Sequence, residues 1–262
     1  MPLFSFRKSS KSDIYRKMGF DIDQDGIIER YSREKSNWDI HLEQSRNVIL
    51  KAMEQYHPEN IAILGSGWLL DIPLEEMLLK CNHIYLIDIR HPNQIKHKLS
   101  KQEKVTFIEE DITGGMAEQV WQMVENFKKN NKPFDYNRMT AEEYVLPCDV
   151  DMVVSLNILN QLDILICDFI SDNVQISEEE LKTVRLSIQN KHLEMLSKYN
   201  YCLISDVEEI VCDFNNNTIE EKITVLCNFP QLSNTSEWNW EFDTQGYYYP
   251  DKKVKFKVKA IY

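Results

Sequence analysis

The sequence predicts an α/β fold: a doubly wound, mostly parallel sheet with helices on both faces and an antiparallel hairpin at its C-terminal end. Three observations carry this reading. Short, β-branched, nearly continuously apolar runs recur at 61–64, 84–87, 105–108, 150–156 and 201–205, the pattern of strands buried on both faces. Segments with helical spacing lie between them, at about 69–80, 92–101, 114–129 and 179–198, and strands alternating with helices imply right-handed crossovers and parallel pairing. The end of the chain breaks this rhythm, because the apolar runs 223–227 and 253–261 have no helix between them and read as two antiparallel strands.

Residues 1–35 are polar and irregular and read as an N-terminal extension. Its first 17 residues set Arg7, Lys8, Lys11, Arg16 and Lys17 against one acid, Asp13, the composition of a solvated tail. The run Asp21-Ile22-Asp23-Gln24-Asp25-Gly26 imitates the start of a calcium loop. The Glu such a loop needs six residues after its Gly is replaced by Ser32, so a turn without metal is expected. Residues 36–262 read as a single domain, made of a helix within 36–57, a core over 58–206 and a terminal hairpin over 207–262. The helix is expected over 37–56, capped by Asn37, with Trp38, Leu42, Val48, Ile49, Ala52, Met53 and Tyr56 at helical spacing and His57-Pro58 as its stop. Within the hairpin lies an aromatic insertion, Trp238, Trp240, Phe242, Tyr247, Tyr248 and Tyr249. It can pack the hairpin, wall a ligand pocket or bury a dimer contact. In the last strand Val254, Phe256 and Val258 alternate with Lys255, Lys257 and Lys259; lysines on the open face guard a strand against aggregation.

The 262 residues suit one large α/β domain, and 43% hydrophobic with 27% charged residues is the balance of a soluble globular protein. No stretch approaches the ~20 apolar residues of a membrane helix, and the N-terminus carries no apolar run of a secretory signal. The six cysteines are scattered without a CxxC pair, which reads as buried, reduced thiols in a cytoplasmic protein. A formal net charge of −12 opposes a phosphate backbone as main partner and favours a small-molecule ligand.

A doubly wound sheet binds ligands at the carboxyl ends of its strands, where strand order reverses. Leu64-Gly65-Ser66-Gly67-Trp68 follows the first strand and leads towards a helix; the two glycines let backbone turn tightly and approach a ligand. Asp88 ends the second strand, 21 residues after Gly67, with Ile89 next to it. A carboxylate there can accept both hydroxyl hydrogens of a ribose. After the third strand, Glu109-Glu110-Asp111-Ile112 offers an acid to an adenine amino group and an apolar side chain to the ring face; Asp111 also suits a helix cap. The fourth strand ends in Ser155-Leu156-Asn157, followed by Asn160 and Gln161. A dinucleotide loop needs a third glycine for close helix packing beside the pyrophosphate. Leu70 stands there, and Trp68 adds bulk, which favours a ligand without a pyrophosphate.

The segments AILGSGWLLDIPL, IYLIDIR, VTFIEEDIT and CDVDMVVSLNILNQL resemble the successive cofactor motifs of class I S-adenosylmethionine-dependent methyltransferases, over residues 61–206 and, with the hairpin, to about 261. The resemblance implies a Rossmann-like sheet of seven strands in the order 3-2-1-4-5-7-6 with only the last antiparallel. It implies S-adenosylmethionine as cofactor, with Gly65, Ser66, Gly67 and Trp68 near the methionine moiety, Asp88 and Ile89 at the ribose, and Asp111 with Ile112 at the adenine. Ser155, Leu156 and Asn157 would line the methyl-transfer cleft. Two departures matter. Ile63 replaces the acid that often precedes the first glycine, and the fourth segment is not the Asn/Asp-Pro-Pro-Tyr pattern of nucleobase-amine methylation, so a small-molecule acceptor is expected. Methyl transfer needs a general base only when the acceptor must lose a proton; His41, Asn157, Gln161 and Asp206 are the candidates, and Trp38 can pack against the sheet edge or, as the resemblance implies for the N-terminal helix, cover the cofactor. The competing readings are a catalytically degenerate binding protein, an NAD(P)-dependent oxidoreductase, and an aminopropyltransferase on the same fold.

Overall fold

The computed structural model describes residues 10–130 and 134–262; Arg7 and Lys8 of the basic tail lie outside them. The chain opens with helices α1 (Lys11–Lys17) and α2 (Phe20–Tyr56). It then alternates β1 (Asn60–Leu64), α3 (Leu74–Lys80), β2 (His83–Asp88), α4 (Asn93–Lys98), β3 (Val105–Glu109), α5 (Met116–Asn130) and β4 (Met152–Leu156). Helices α6 (Ile164–Asn173) and α7 (Glu178–Leu196) precede four strands, β5 (Asn200–Cys212), β6 (Thr218–Ile223), β7 (Thr235–Asp243) and β8 (Lys253–Ile261).

The sheet runs β3-β2-β1-β4-β5-β8-β7, with β6 paired to β5 alone. Strands β3, β2, β1, β4 and β5 are parallel; β8 is antiparallel to both β5 and β7. With β6 set aside this is the seven-strand order of the class I methyltransferase fold. The eighth strand has a simple origin. Strand β5 pairs with β4 only through Asn200–Ile204 and extends well beyond it, and β6 covers the edge that β4 leaves bare at Glu208–Cys212. A bulge between Asp206 and Glu208 marks the change of neighbour.

Period-two alternation splits the core between the two faces. Ala62, Leu64, Ile87, Val153 and Leu203 pack towards α5, α6 and α7. Ile61, Ile63, Leu86, Met152, Val154 and Ile204 pack with α2 and α3, joined by Trp38, Trp240, Phe242 and Phe256. The ring of Trp38 stacks on Phe242 at 5.5 Å and meets Trp240 edge-on at 4.8 Å, and its indole N–H donates to the Phe242 carbonyl at 2.9 Å. This seats α2 on the β7–β8 hairpin.

Four expectations are corrected. Residues 11–17 and 20–35 are helical, and the 21–26 segment lies inside α2 rather than in a turn. Its polar sequence is held by tertiary contacts: Gln24 is buried, Ile27 and Tyr31 pack on the core, and Asp21 pairs with Arg90 at 2.9 Å. Asn37 therefore caps nothing; the expected start coincides instead with a kink at Glu34 (φ −106, ψ 20). The helix expected from 69 begins at Leu74, and α6 was not anticipated. Finally, the hairpin partner of β8 is the aromatic segment itself, as β7, and not 223–227, of which Ile223 ends β6 and the remainder is off the ladder. Val225 and Cys227 are buried, but the Gln189 side-chain oxygen accepts the N–H groups of Leu226 (2.7 Å) and Cys227 (3.2 Å), so this apolar run is satisfied as a loop under α7 instead of on a ladder. All six cysteines are free, and no helix among the described residues is long and apolar enough to cross a membrane.

The kink has an identifiable tie. The buried Glu34 carboxylate accepts from the Thr244 N–H (3.0 Å), the Thr244 hydroxyl (2.9 Å) and the Asn37 amide (2.8 Å). Glu34→Ala strands those donors and is expected to lower unfolding free energy by about 2 kcal/mol in urea titration; a loss under ~0.5 kcal/mol would mean that the tie does not hold α2 to the hairpin.

Candidate functional site

The exits of β1 and β4 turn away from each other. Gly65 N–H and Ser66 N–H donate to the Ile87 carbonyl of β2 at 2.9 and 3.4 Å, and Gly67 N–H donates to the Asp88 carboxylate at 2.9 Å. The β4 exit bends the other way, with Asn157 N–H donating to the Ile204 carbonyl of β5 at 2.8 Å. The crevice between them widens into a cavity of about 290 Å³, roofed by α2 and walled by the β7–β8 hairpin. Gly65 sits at its base with φ +80, and a Cβ there would lie 2.8 Å from the Leu156 carbonyl oxygen. The first glycine is thus required by the approach of two backbones, ligand or not. Gly67 has φ +33 and more room, 3.7 Å from an added Cβ to Asp88.

The cofactor residues expected from β1, β2 and β3 come together. Gly65, Ser66, Gly67, Trp68, Asp88, Ile89, Asp111 and Ile112 all line the cavity. Burial pushes the Asp88 carboxyl up to about 6, against the Gly67 N–H bond that favours its charged form. Asp111 accepts from the Thr113 N–H and hydroxyl at 2.8 and 2.6 Å, and Thr113 in turn accepts the Met116 N–H at the start of α5. Asp111 thus supports the start of α5 through Thr113, and the Ala117 N–H in the same turn also favours its charged form. Ser66 bonds His91 Nε2 at 2.8 Å, and burial depresses His91 to about 4, so the imidazole is neutral.

At the end of β4 the residues separate. Leu156 and Asn157 line the cavity, together with Asn160, Gln161 and Asp206. Ser155 does not: it is fully buried, and its hydroxyl bonds His192 Nε2 on α7 at 2.8 Å. The role expected for Ser155 in the cleft is corrected by strand alternation, which turns it to the α7 face while the chain bends to present Asn157 (φ +49). His41 is buried and stacked on Trp240 at 4.0 Å and 8°, and its Nδ1 accepts the Trp238 indole N–H at 3.1 Å. Burial lowers it to about 3. A neutral imidazole with one nitrogen already engaged is a poor general base at neutral pH, so His41 is a packing and positioning residue. Asn157 Nδ2 lies 3.2 Å from His41 Nε2 and donates to Asp71 at 2.9 Å.

Several cavity residues carried no readable motif. The N-terminal half of α2 contributes Phe20, Asp23, Gln24, Ile27 and Arg30. Gln24 Nε2 donates to the Arg90 carbonyl at 2.6 Å, and the Trp68 indole donates to the Gln24 carbonyl at 2.8 Å, so the roof is fastened to the loops after β1 and β2. Asp71, half-buried on the loop after β1, belongs to no motif; desolvation raises its carboxyl.

No family model and no curated protein matches the chain. Solved structures similar to it include the N-methyltransferase NodS from Bradyrhizobium japonicum WM9 with S-adenosyl-L-homocysteine, at TM-score 0.34 and 10% identity over 83% of this chain and 85% of that one. The DhpI–SAH complex matches at TM-score 0.37 and 7% identity over 97% and 98% of the two chains. The plantazolicin methyltransferase BpumL with SAH matches at TM-score 0.30 and 13% identity over 96% and 94%. At these scores the likeness carries no weight for function, which is left to the cavity's own residues.

Gly65→Ala combines a positive φ with a backbone clash and is expected to cost about 2 kcal/mol or more, read as a lowered midpoint in thermal or urea unfolding. Unchanged stability would show that the two chain exits are not in contact.

Proposed function

We propose that the chain is an S-adenosylmethionine-dependent methyltransferase acting on a small-molecule acceptor. The observation that carries this is the charge of the cavity. Among the described residues Asp23, Asp71, Asp88, Glu110, Asp111 and Asp206 line it against one Arg or Lys, Arg30, which itself pairs with Asp23 at 3.4 Å. S-adenosylmethionine has a sulfonium, an ammonium and one carboxylate, hence a net positive charge, and suits such a wall. A dinucleotide would bring two pyrophosphate charges into it. The phosphate site of a dinucleotide fold is also missing, because α3 starts only at Leu74 and its N-terminus does not meet Gly65–Gly67. These two points argue against the NAD(P)-dependent alternative.

The residues fit the cofactor on a second ground. Asn157 Oδ1 is a buried acceptor without a donor among the described residues, and a buried acceptor calls for a partner. In this reading Asp88 holds the ribose hydroxyls, Asp111 and Ile112 take the adenine, and Gly65–Gly67 with Asn157 face the methionine moiety, whose ammonium is served without an acid at position 63. When bound, the cofactor supplies an electrophilic methyl carbon, and the chain's own task is to orient an acceptor and exclude water.

Isothermal titration calorimetry tests this. S-adenosylmethionine and S-adenosylhomocysteine are expected to bind at micromolar Kd or tighter, and NAD not at all. Asp88→Asn is expected to weaken S-adenosylhomocysteine about tenfold, or about 1.4 kcal/mol. The pH dependence has a definite sign. Hydroxyl donors favour the ionised Asp88, whose carboxyl stands at about 6 in the free protein, so affinity is retained above that value and falls about tenfold per pH unit below it. Absence of heat and of thermal shift with both compounds would sink the reading. Binding without any methylated product from a complete cell extract would favour the degenerate binding protein.

A further inference from the structure

The part of the cavity beyond the cofactor residues has a chemistry of its own. Asp206 stands at the end of the regular part of β5, just before the bulge, and is 2% exposed. One carboxylate oxygen, Oδ2, accepts from Asn160 Nδ2 at 2.6 Å. The other, Oδ1, is buried with no side-chain or backbone partner from another described residue, and so is the Asn160 side-chain oxygen. Both residues line the cavity. No Lys, Arg or His among the described residues forms an ion pair with Asp206. Burial, reinforced by the Glu209 charge, pushes its carboxyl up to about 7. A buried carboxylate without a cation, next to a second orphaned acceptor, is costly unless a ligand brings the donors.

The wall beside this pair is aromatic. Trp38, Trp240, Phe242, Tyr248 and Phe256 line the same cavity, and Phe242 meets Phe256 and Tyr248 edge-to-face at 4.9 and 5.1 Å. Aromatic faces attract cations and cover apolar bodies. Acceptor oxygens without donors together with aromatic walls describe a site for a group that is positively charged and rich in N–H.

We propose that Asp206 and Asn160 anchor a protonated amine, so that the acceptor is a small primary or secondary amine with an apolar or aromatic body. This rests on the methyltransferase reading for its consequence, but the binding site stands on the residues above. The pair also accounts for proton handling. An ammonium nitrogen has no lone pair to offer. Its proton passes to the Asp206 carboxylate, which becomes the neutral acid, and the nitrogen keeps the electron pair that a methyl acceptor needs. Asn160 holds the carboxylate in place and accepts a remaining N–H. Asp206 is then the proton-accepting residue, in preference to His41 and Gln161.

The experiment is calorimetry on the full chain, with and without saturating S-adenosylhomocysteine, using amines and their alcohol twins: phenethylamine against 2-phenylethanol, and putrescine against 1,4-butanediol. At least one amine is expected to bind tenfold or more tighter than its alcohol. Asp206→Asn, which keeps the shape and removes the charge, is expected to cut that preference below threefold. Amines and alcohols binding alike to the unsubstituted protein, or neither binding, would overturn the proposal, and this comparison decides it even if Asp206→Asn fails to fold. A preference that survives Asp206→Asn would overturn it as well. Failure of S-adenosylhomocysteine to bind is a separate result: it removes the methyltransferase reading, while the arms without it still decide the amine site.

Discussion

Two backbone exits govern this molecule. At the carboxyl ends of the central strands, the chain leaving β1 is drawn to β2 by bonds to Ile87 and Asp88, and the chain leaving β4 is drawn to β5 by the bond to Ile204. Parallel strands leave their terminal N–H groups to be met by whatever lies beside them, and at the reversal of strand order the neighbours lie on opposite sides. The crevice is a consequence of that bonding. Gly65 lets the two exits touch at the base, and everything above it is space to be roofed.

The roof determines the character of that space. Helix α2 crosses the strand ends with its C-terminal part packed on β7 through Trp38, and its N-terminal part fastened by Gln24 and Asp21 to the loops after β1 and β2. Covering the crevice removes water from its carboxylates. Asp88 and Asp206 rise to about 6 and about 7 because burial penalises their charge. The same burial that raises these carboxyls would strengthen their attraction to a bound cation, since an opposite charge inside low-dielectric walls interacts more strongly than in water. The proposed cofactor and the proposed amine are both answers to one field.

Much of this was legible in the sequence where the signal is local. The glycines after β1, Asp88 at the end of β2 and Asp111 after β3 follow from strand ends that an apolar run reveals directly. What escaped depends on distant residues. The helical state of 20–35 is maintained by contacts of Gln24 and Asp21 with positions more than sixty residues away, and intrinsic propensity says little about them. The run 223–227 has strand composition, yet Gln189 on α7 satisfies its backbone, which no local pattern records. Ser155 was assigned to the cleft from its place in a motif, whereas the face it occupies depends on where β4 ends. In the sequence Asp206 is one candidate among four; that no described Lys, Arg or His pairs with it becomes visible once β8, β7 and α2 are placed around it.

The central claim is that the crevice between the β1 and β4 exits holds S-adenosylmethionine beneath α2. A crystal structure grown with S-adenosylhomocysteine tests it most directly. The account predicts the ribose hydroxyls within hydrogen-bond distance of the Asp88 carboxylate, the adenine against Ile112 with Asp111 at its edge, and the sulfur facing Asn157 and the aromatic wall that ends at Asp206. A ligand bound elsewhere, or a crevice filled by the chain's own side chains at saturating ligand, would contradict it.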